Sequence, residues 1–190
     1  MRSSLHQLPT WPEDGIINAV IEAPRGCGAK ITYNAALDIF EYGRALPLGT
    51  TYPYCWGFVP GTKAEDGDPL DVLVLISEPT FPGCVVRARP VGVLDMTDDK
   101  GHDYKILAVA HDDPRYEQAQ SLEDVSQHLL REIENFFSIY KELEGRATEV
   151  RGWLGVNDAE RIIETAREAG SRGPGSAAPG ARRERRPAAG

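Results

Sequence analysis

Three carboxylates crowd the turn Asp66-Gly67-Asp68-Pro69-Leu70-Asp71, and the apolar run 72–76 follows at once. Like charges at this spacing repel one another, and a carboxylate beside a buried strand is costly unless a positive charge neutralises it. The pattern therefore favours a hard divalent cation, Mg2+ or a relative, held by carboxylate oxygens. A solvated acidic turn is the alternative at this point. An EF-hand loop is excluded, because its glycine would fall at Asp71 and its closing glutamate at Ser77.

A second acidic cluster and several basic side chains extend this chemistry. Lys105 lies two residues beyond an aspartate, and on a strand that spacing places both side chains on one face. Carboxylates for cations, with bases and a phenol for an anion, would suit a phosphate substrate bridged by metals. Spacing alone leaves their convergence open, and it leaves Tyr140 equally interpretable as a core residue. The residues are Asp98, Asp99 and Asp103, with Lys30, Arg44, Lys105, Tyr140 and Lys141.

Many short β-type runs must position these groups. They fill the first two thirds of the chain without an intervening helix, which predicts a mainly β (α+β) fold built on a barrel rather than a doubly wound sheet. The predicted strands are 16–23, 29–33, 36–41, 56–59, 70–76, 84–96 (bent or split near Pro90 and Gly92) and 105–110, with a short one at 148–154.

The later part of the chain is helical. A capping pattern at Ser121 and Asp124 precedes apolar residues at three- and four-residue steps up to Leu143, which predicts one long amphipathic helix. Asn157 with Glu160 predicts the cap of a second helix. Residues 1–169 are interpreted as a single domain, and the Gly/Pro/Ala/Arg-rich residues 170–190 as a disordered tail.

Composition restricts the function. The 190 residues are 41% hydrophobic and 26% charged, which suits one globular domain. The net charge is −8, but five arginines and one glutamate lie beyond residue 170, which leaves −12 on residues 1–169. So acidic a body disfavours a nucleic-acid or membrane binder. Three cysteines at unrelated spacings and no hydrophobic leader predict a cytoplasmic protein.

The sequence also resembles a known family. The segment Asp66-Gly67-Asp68-Pro69-Leu70-Asp71-Val72 is similar to the signature of family I soluble inorganic pyrophosphatases of the bacterial type. Further segments resemble the family in order, from about residue 10 to about residue 168. They are 21–24, 52–53, 89–94, 96–98, 103–105 and 136–144.

The resemblance implies an OB-like five-stranded barrel with flanking C-terminal helices, Mg2+ dependence, and hydrolysis of pyrophosphate to two phosphates by a homo-oligomer, typically a hexamer. By position, the metal ligands would be Asp66, Asp71, Asp98, Asp99 and Asp103, and Asp68 would help take the proton from the attacking water. Lys30, Arg44, Trp56, Lys105, Tyr140 and Lys141 match substrate-binding positions, and Glu22 matches a further acidic site residue.

Two departures from the family pattern lie at the site. Thr32 stands where the family commonly has a glutamate, and Trp56 stands where it commonly has a tyrosine, so a carboxylate and a phenolic oxygen are lost. Gly43 is a lesser change. Because the principal carboxylates remain, we expect an enzyme. The alternative is a degenerate pyrophosphatase-fold protein that binds metal, phosphate or a partner with little turnover.

Overall fold

Five strands close into a ring in the computed structural model of the chain, which describes residues 4–98 and 101–171. The described strands are β1 (Ile17–Ala23), β2 (Ala29–Asn34), β3 (Ile39–Ala45), β4 (Cys55–Phe58), β5 (Asp71–Leu75), β6 (Val85–Asp98), β7 (Gly101–His102), β8 (Lys105–Ala110) and β9 (Glu149–Leu154). In the ring, hydrogen bonding follows the order β1, β4, β5, β8, β6 and then returns from β6 to β1. The predicted mainly β, OB-like fold is confirmed.

The apolar run in β5 is continuous because both faces of the strand are covered. Leu73 and Leu75 pack with α1 (Gln127–Ile139) in one core cluster, while Val72 and Val74 pack with α2 (Val156–Ser171) in another. A strand buried on both sides loses the polar alternation of a surface strand. The two helices therefore flank the ring, as predicted.

The predicted long helix is interrupted at both ends. The capping box of Ser121 and Asp124 closes a short 3-10 turn at Leu122–Asp124, and α1 begins only at Gln127. Beyond Ile139 the chain turns into a second 3-10 segment, Glu142–Glu144, and the Leu143 side chain is 81% exposed. Leu143 therefore continues the sequence periodicity without contributing to the core.

β2 and β3 form a separate hairpin, and β3 starts three residues later than predicted. Asn34 Oδ1 accepts hydrogen bonds from the N–H groups of Ala36 and Leu37, which commits residues 35–38 to the turn. Asp38 ends that turn with φ of 57°, a left-handed conformation that aspartate tolerates better than most residues.

The helix α2 extends into the predicted tail, through Gly170 and Ser171. A Cβ at position 170 would overlap the Gly61 carbonyl oxygen, so a glycine here permits the end of α2 to lie against the loop that follows β4. The remainder of the predicted tail, 172–190, lies outside the described residues. Within the described ranges, neither helix has the length and apolarity needed to cross a bilayer.

Candidate active site

A cavity of about 540 Å³ opens between the ring, the β2–β3 hairpin, the end of α1 and one face of α2. Most of the predicted site residues line it, which answers the question of convergence that spacing left open. Those on its wall are Glu22, Lys30, Trp56, Asp66, Asp68, Asp71, Asp103, Lys105, Tyr140 and Lys141. Thr32, at one of the two departures, lines it as well.

Lys105 is the centre of this cavity's charge pattern. β5 and β8 run parallel, and Asp71, the first residue of β5, is paired with Lys105, the first residue of β8. The Lys105 ammonium donates hydrogen bonds to Asp71 Oδ2 and Asp103 Oδ1, and its side chain is only 3% exposed. Asp103 is held in turn by its own N–H, which donates to the Met96 carbonyl at 2.9 Å.

Burial penalises the Lys105 ammonium, but Asp71 and Asp103 outweigh that penalty and raise the pKa of Lys105, so it stays charged. Burial also raises the pKa of Asp71, and the Asp103 carboxylate adds to this effect while Lys105 opposes it. Two carboxylates around one ammonium leave this end of the cavity with a net negative charge. Further positive charge would therefore be stabilised there.

Trp56 supports the same ammonium from the side. Lys105 Nζ lies 5.1 Å from the centre of the Trp56 ring and 5.9 Å from that of Phe137, within the range of cation–π attraction. Trp56 also stacks on Tyr52, with ring centroids 5.6 Å apart. The indole thus fills the family's tyrosine position as a packing face rather than as an oxygen donor.

The loop between β4 and β5 carries Asp66 and Asp68. It is tied at its base by Thr62, whose Oγ1 donates to the Val59 carbonyl at 2.6 Å and accepts from Leu70 N–H at 2.9 Å. Nearer its tip, Asp68 N–H donates to Asp66 Oδ1 at 3.1 Å. The two carboxylates are therefore presented by a short, internally bonded loop.

Glu22 is a buried carboxylate that projects from β1 into the cavity wall. Its Oε1 accepts the Tyr33 N–H at 2.7 Å. Burial raises the pKa of Glu22 to about 7, and that single backbone hydrogen bond offsets only part of the penalty. A nearby cation would lower this pKa.

Tyr140 and Lys141 follow the end of α1. Tyr140 is buried against Phe136 and Phe137, and burial raises the pKa of its phenol. Tyr140 is therefore a core residue that also lines the cavity, so its interpretation as a core residue does not exclude a place in the site.

Arg44 is placed differently from the other predicted residues. It lies opposite Lys30 in the hairpin, yet it is not on the cavity wall, and its Nη1 forms a 2.5 Å ion pair with Glu144 Oε1. Asp98 ends β6 beside the cavity-lining β7, and Asp99 lies outside the described residues.

Sequence reasoning missed several wall residues. Tyr52, His6 and His102 line the cavity, although the sequence analysis assigns none of them a role in the site. Lys63, Glu65 and Arg161 also line the cavity. None of them stands at a diagnostic spacing, because separate segments bring them together.

The carboxylates suit a hard divalent cation in their chemistry, since all are oxygen ligands and Asp71 is partly buried. Within residues 4–98 and 101–171, however, no three carboxylate, imidazole or thiolate groups lie close enough to form a ready-made metal site. Lys105 holds Asp71 and Asp103 instead. The donor set fits such an ion in its chemistry, since Lys105 engages one oxygen of each carboxylate.

Comparison with known proteins identifies the family. A family model described as inorganic pyrophosphatase matches residues 19–170. The inorganic pyrophosphatase of Nostoc sp. is 46% identical over 160 residues, which are 84% of this chain and 95% of that protein. That of Methanosarcina acetivorans is 46% identical over 160 residues, 84% of this chain and 94% of its own.

Structural comparison agrees. The crystal structure of inorganic pyrophosphatase from Thermus thermophilus superposes with a TM-score of 0.85 at 38% identity, covering 89% of this chain and 99% of that chain. The chain therefore belongs to the inorganic pyrophosphatase family. The predicted assignment to the family I soluble type is confirmed.

Proposed function

We propose that this chain hydrolyses inorganic pyrophosphate to two orthophosphates with Mg2+ as its cofactor. Hydrolysis of pyrophosphate is the activity of the family to which the chain belongs. The observation that carries the proposal to this chain is the convergence of Lys105, Asp71 and Asp103 in one cavity, with the carboxylates of the Asp66–Asp68 loop on its wall. No observation favours the degenerate alternative.

The proposed metal holders are Asp66, Asp71 and Asp103, with Asp98 and Asp99 serving further ions. When bound, the metal would supply positive charge that draws in the pyrophosphate anion and acidifies water in its coordination shell. Divalent metal dependence is general to the family, and Mg2+ is the ion that we propose because the donors are all hard oxygens.

The remaining proposed roles are those that the family resemblance implies, and charge and burial support them. Asp68 takes the proton from the attacking water, since it projects from the acidic loop into the cavity. Lys30, Lys105 and Lys141 stabilise charge on the phosphate oxygens, and the Tyr140 phenol donates a hydrogen bond to one of them. Lys105 is well suited to this role, because Asp71 and Asp103 keep it charged and Trp56 fixes its position.

Arg44 binds phosphate once its ion pair with Glu144 is broken. Glu22 serves as the further acidic residue on the cavity wall. A hexameric assembly and a cytoplasmic setting complete the proposal. The three cysteines, Cys27, Cys55 and Cys84, are all free, which suits a reducing compartment.

Phosphate release from pyrophosphate, measured with and without Mg2+, tests the function. We expect turnover that requires Mg2+ and is abolished by a chelator. A folded protein that binds Mg2+ but releases no phosphate would support the degenerate alternative instead.

A further inference from the structure

We propose that residues 4–10, here called the N-terminal arm, position the acidic loop of the active site, and that Tyr33 is the positioning residue that holds the arm. The arm precedes the residues that the family model matches, which begin at residue 19. This proposal rests on the proposed function, because it assigns a role at the same cavity.

The Tyr33 hydroxyl holds the start of the arm. It accepts the Leu5 N–H at 3.1 Å, lies 3.3 Å from Ser4 Oγ, and donates to Asp38 Oδ1 at 2.7 Å. Asp38, the acceptor in the last of these, is the residue with the left-handed φ described above. A single buried hydroxyl thus links the arm to the turn of the β2–β3 hairpin.

His6 carries the arm to the cavity. Its ring lies edge-on between Tyr33 and Phe58, with centroid distances of 5.2 and 4.8 Å, and it is on the cavity wall. Leu5 and Leu8 pack against the same small core, which contains Val20, Tyr33 and Phe58. The arm is therefore packed rather than loosely apposed.

Two hydrogen bonds join the arm to the base of the acidic loop. The His6 carbonyl accepts the Gly61 N–H at 3.0 Å, and Thr10 Oγ1 donates to the Pro60 carbonyl at 2.8 Å. A Cβ at Gly61 would lie 2.7 Å from Thr10 Oγ1, and Gly61 has φ of 72°, so the glycine permits this close approach. The loop continues from here through Thr62 to Asp66 and Asp68.

The arm therefore fixes the point from which the acidic loop departs. If that point moves, the carboxylates of Asp66 and Asp68 lose their placement relative to Asp71. Part of the free energy of Mg2+ binding is then needed to restore the placement. Disturbing the arm removes no catalytic group, so we expect activation to require a higher Mg2+ concentration.

Tyr33→Phe tests this inference in the full-length protein, because it removes the hydroxyl and keeps the stacked ring. The matched control is Tyr42→Phe, which makes the same change on the same hairpin at a side chain that is 68% exposed. The hydroxyl's contacts with the arm and with Asp38 are lost together, and because one hydrogen bond alone corresponds to about two- to tenfold, we take that range as the minimum effect. We expect hydrogen exchange at the Gly61 amide to accelerate by that factor, and the Mg2+ concentration for half-maximal phosphate release to rise similarly. The control should change neither.

Thr10→Val provides a second variant that removes the other link to the loop. It should raise the Mg2+ requirement by itself, and the double variant should raise it by less than the product of the single effects, because both act through one arm. Unchanged Gly61 exchange in folded Tyr33→Phe would overturn the proposal. So would faster exchange with an unchanged Mg2+ requirement.

Failure of the proposed function gives a different result. In a protein without pyrophosphate turnover, Mg2+ binding followed by NMR at the Asp68 amide replaces the activity readout. A weaker affinity for Mg2+ in Tyr33→Phe then supports the arm's role, and an equal affinity overturns it.

Discussion

Replacing Asp71 with asparagine removes one negative charge from the centre of the site while keeping the side chain's shape. Asp71 Oδ2 accepts a hydrogen bond from the buried Lys105 ammonium, and Asp103 is the other acceptor. Because Asp103 remains, Lys105 keeps one ionic partner. We therefore expect the variant to fold and to lose about 1.5–3 kcal/mol of unfolding free energy, the range for a hydrogen bond to a charged group.

The expected loss of activity is much larger. A carboxylate about 4 Å from a cationic centre contributes about 4 kcal/mol at an effective dielectric constant of about 20. If that energy is expressed in the transition state, turnover falls by about a thousandfold. Phosphate release at saturating Mg2+ measures this loss, and thermal unfolding measures the smaller effect on stability.

Asp112→Asn is the matched control, since it makes the same chemical change at an exposed carboxylate that pairs with Arg87 at 2.9 Å. It should leave turnover unchanged, because surface ion pairs contribute little and Asp112 does not line the site cavity. If Asp71→Asn folds cooperatively and keeps more than about a tenth of the wild-type rate, the assignment of Asp71 as a metal holder is refuted.

Three further changes are informative. Glu22→Gln should flatten the pH dependence of stability in the metal-free protein. The pKa of Glu22 is raised from 4.5 to about 7 in the folded state, so its stabilising contribution, up to about 3 kcal/mol, is present below pH 4.5 and is lost as the pH rises towards 7. Urea unfolding at both ends of this pH window measures the contribution. If the free energy of unfolding changes equally with pH in both proteins, the interpretation of Glu22 as a buried acid is contradicted. Thr32→Glu should lower the Mg2+ concentration for half-maximal phosphate release by about two- to fivefold, because an added carboxylate on the cavity wall attracts the cation. The rate at saturating Mg2+ should not rise. Coincident Mg2+ titrations of the variant and the wild type would show that the site does not use this position. Gly57→Ala should cost about 3 kcal/mol or more in unfolding free energy, because the new Cβ would overlap the Val20 carbonyl oxygen. A Cβ at Gly155 would meet nothing within 4 Å, so Gly155→Ala should be nearly neutral. Similar urea midpoints for the two variants would refute the packing argument.

Local pattern determined much of this protein. The β-type runs from residue 16 to residue 110 correspond to strands because each apolar segment is short, and turn residues such as Pro60-Gly61 bound the segments. The turn at Asp66–Asp71 predicted a cation site, because a carboxylate beside a buried strand is costly without a positive charge, and this turn lies on the cavity wall. The family resemblance then supplied residue roles that composition and spacing do not contain.

Periodicity misplaced the ends of elements. Leu143 matches the stripe of α1 but is exposed, because the chain turns after Ile139 and carries it away from the core. β3 begins at Ile39 rather than at residue 36, because hydrogen bonds to Asn34 Oδ1 commit residues 35–38 to the turn. The ends of elements thus depend on particular contacts that the apolar periodicity does not contain.

Only the tertiary structure decided which charges meet. Asp71 and Lys105 are 34 positions apart, and the parallel pairing of β5 with β8 makes them partners. The folded chain also pairs Arg44 with Glu144, away from the cavity wall, and brings His6 to that wall. Residue types thus determined the chemistry available to this chain, because ionisation and hydrogen bonding are properties of single side chains. Distance, burial and partners belong to the folded chain, because they are set by strand pairing between segments that no local spacing connects.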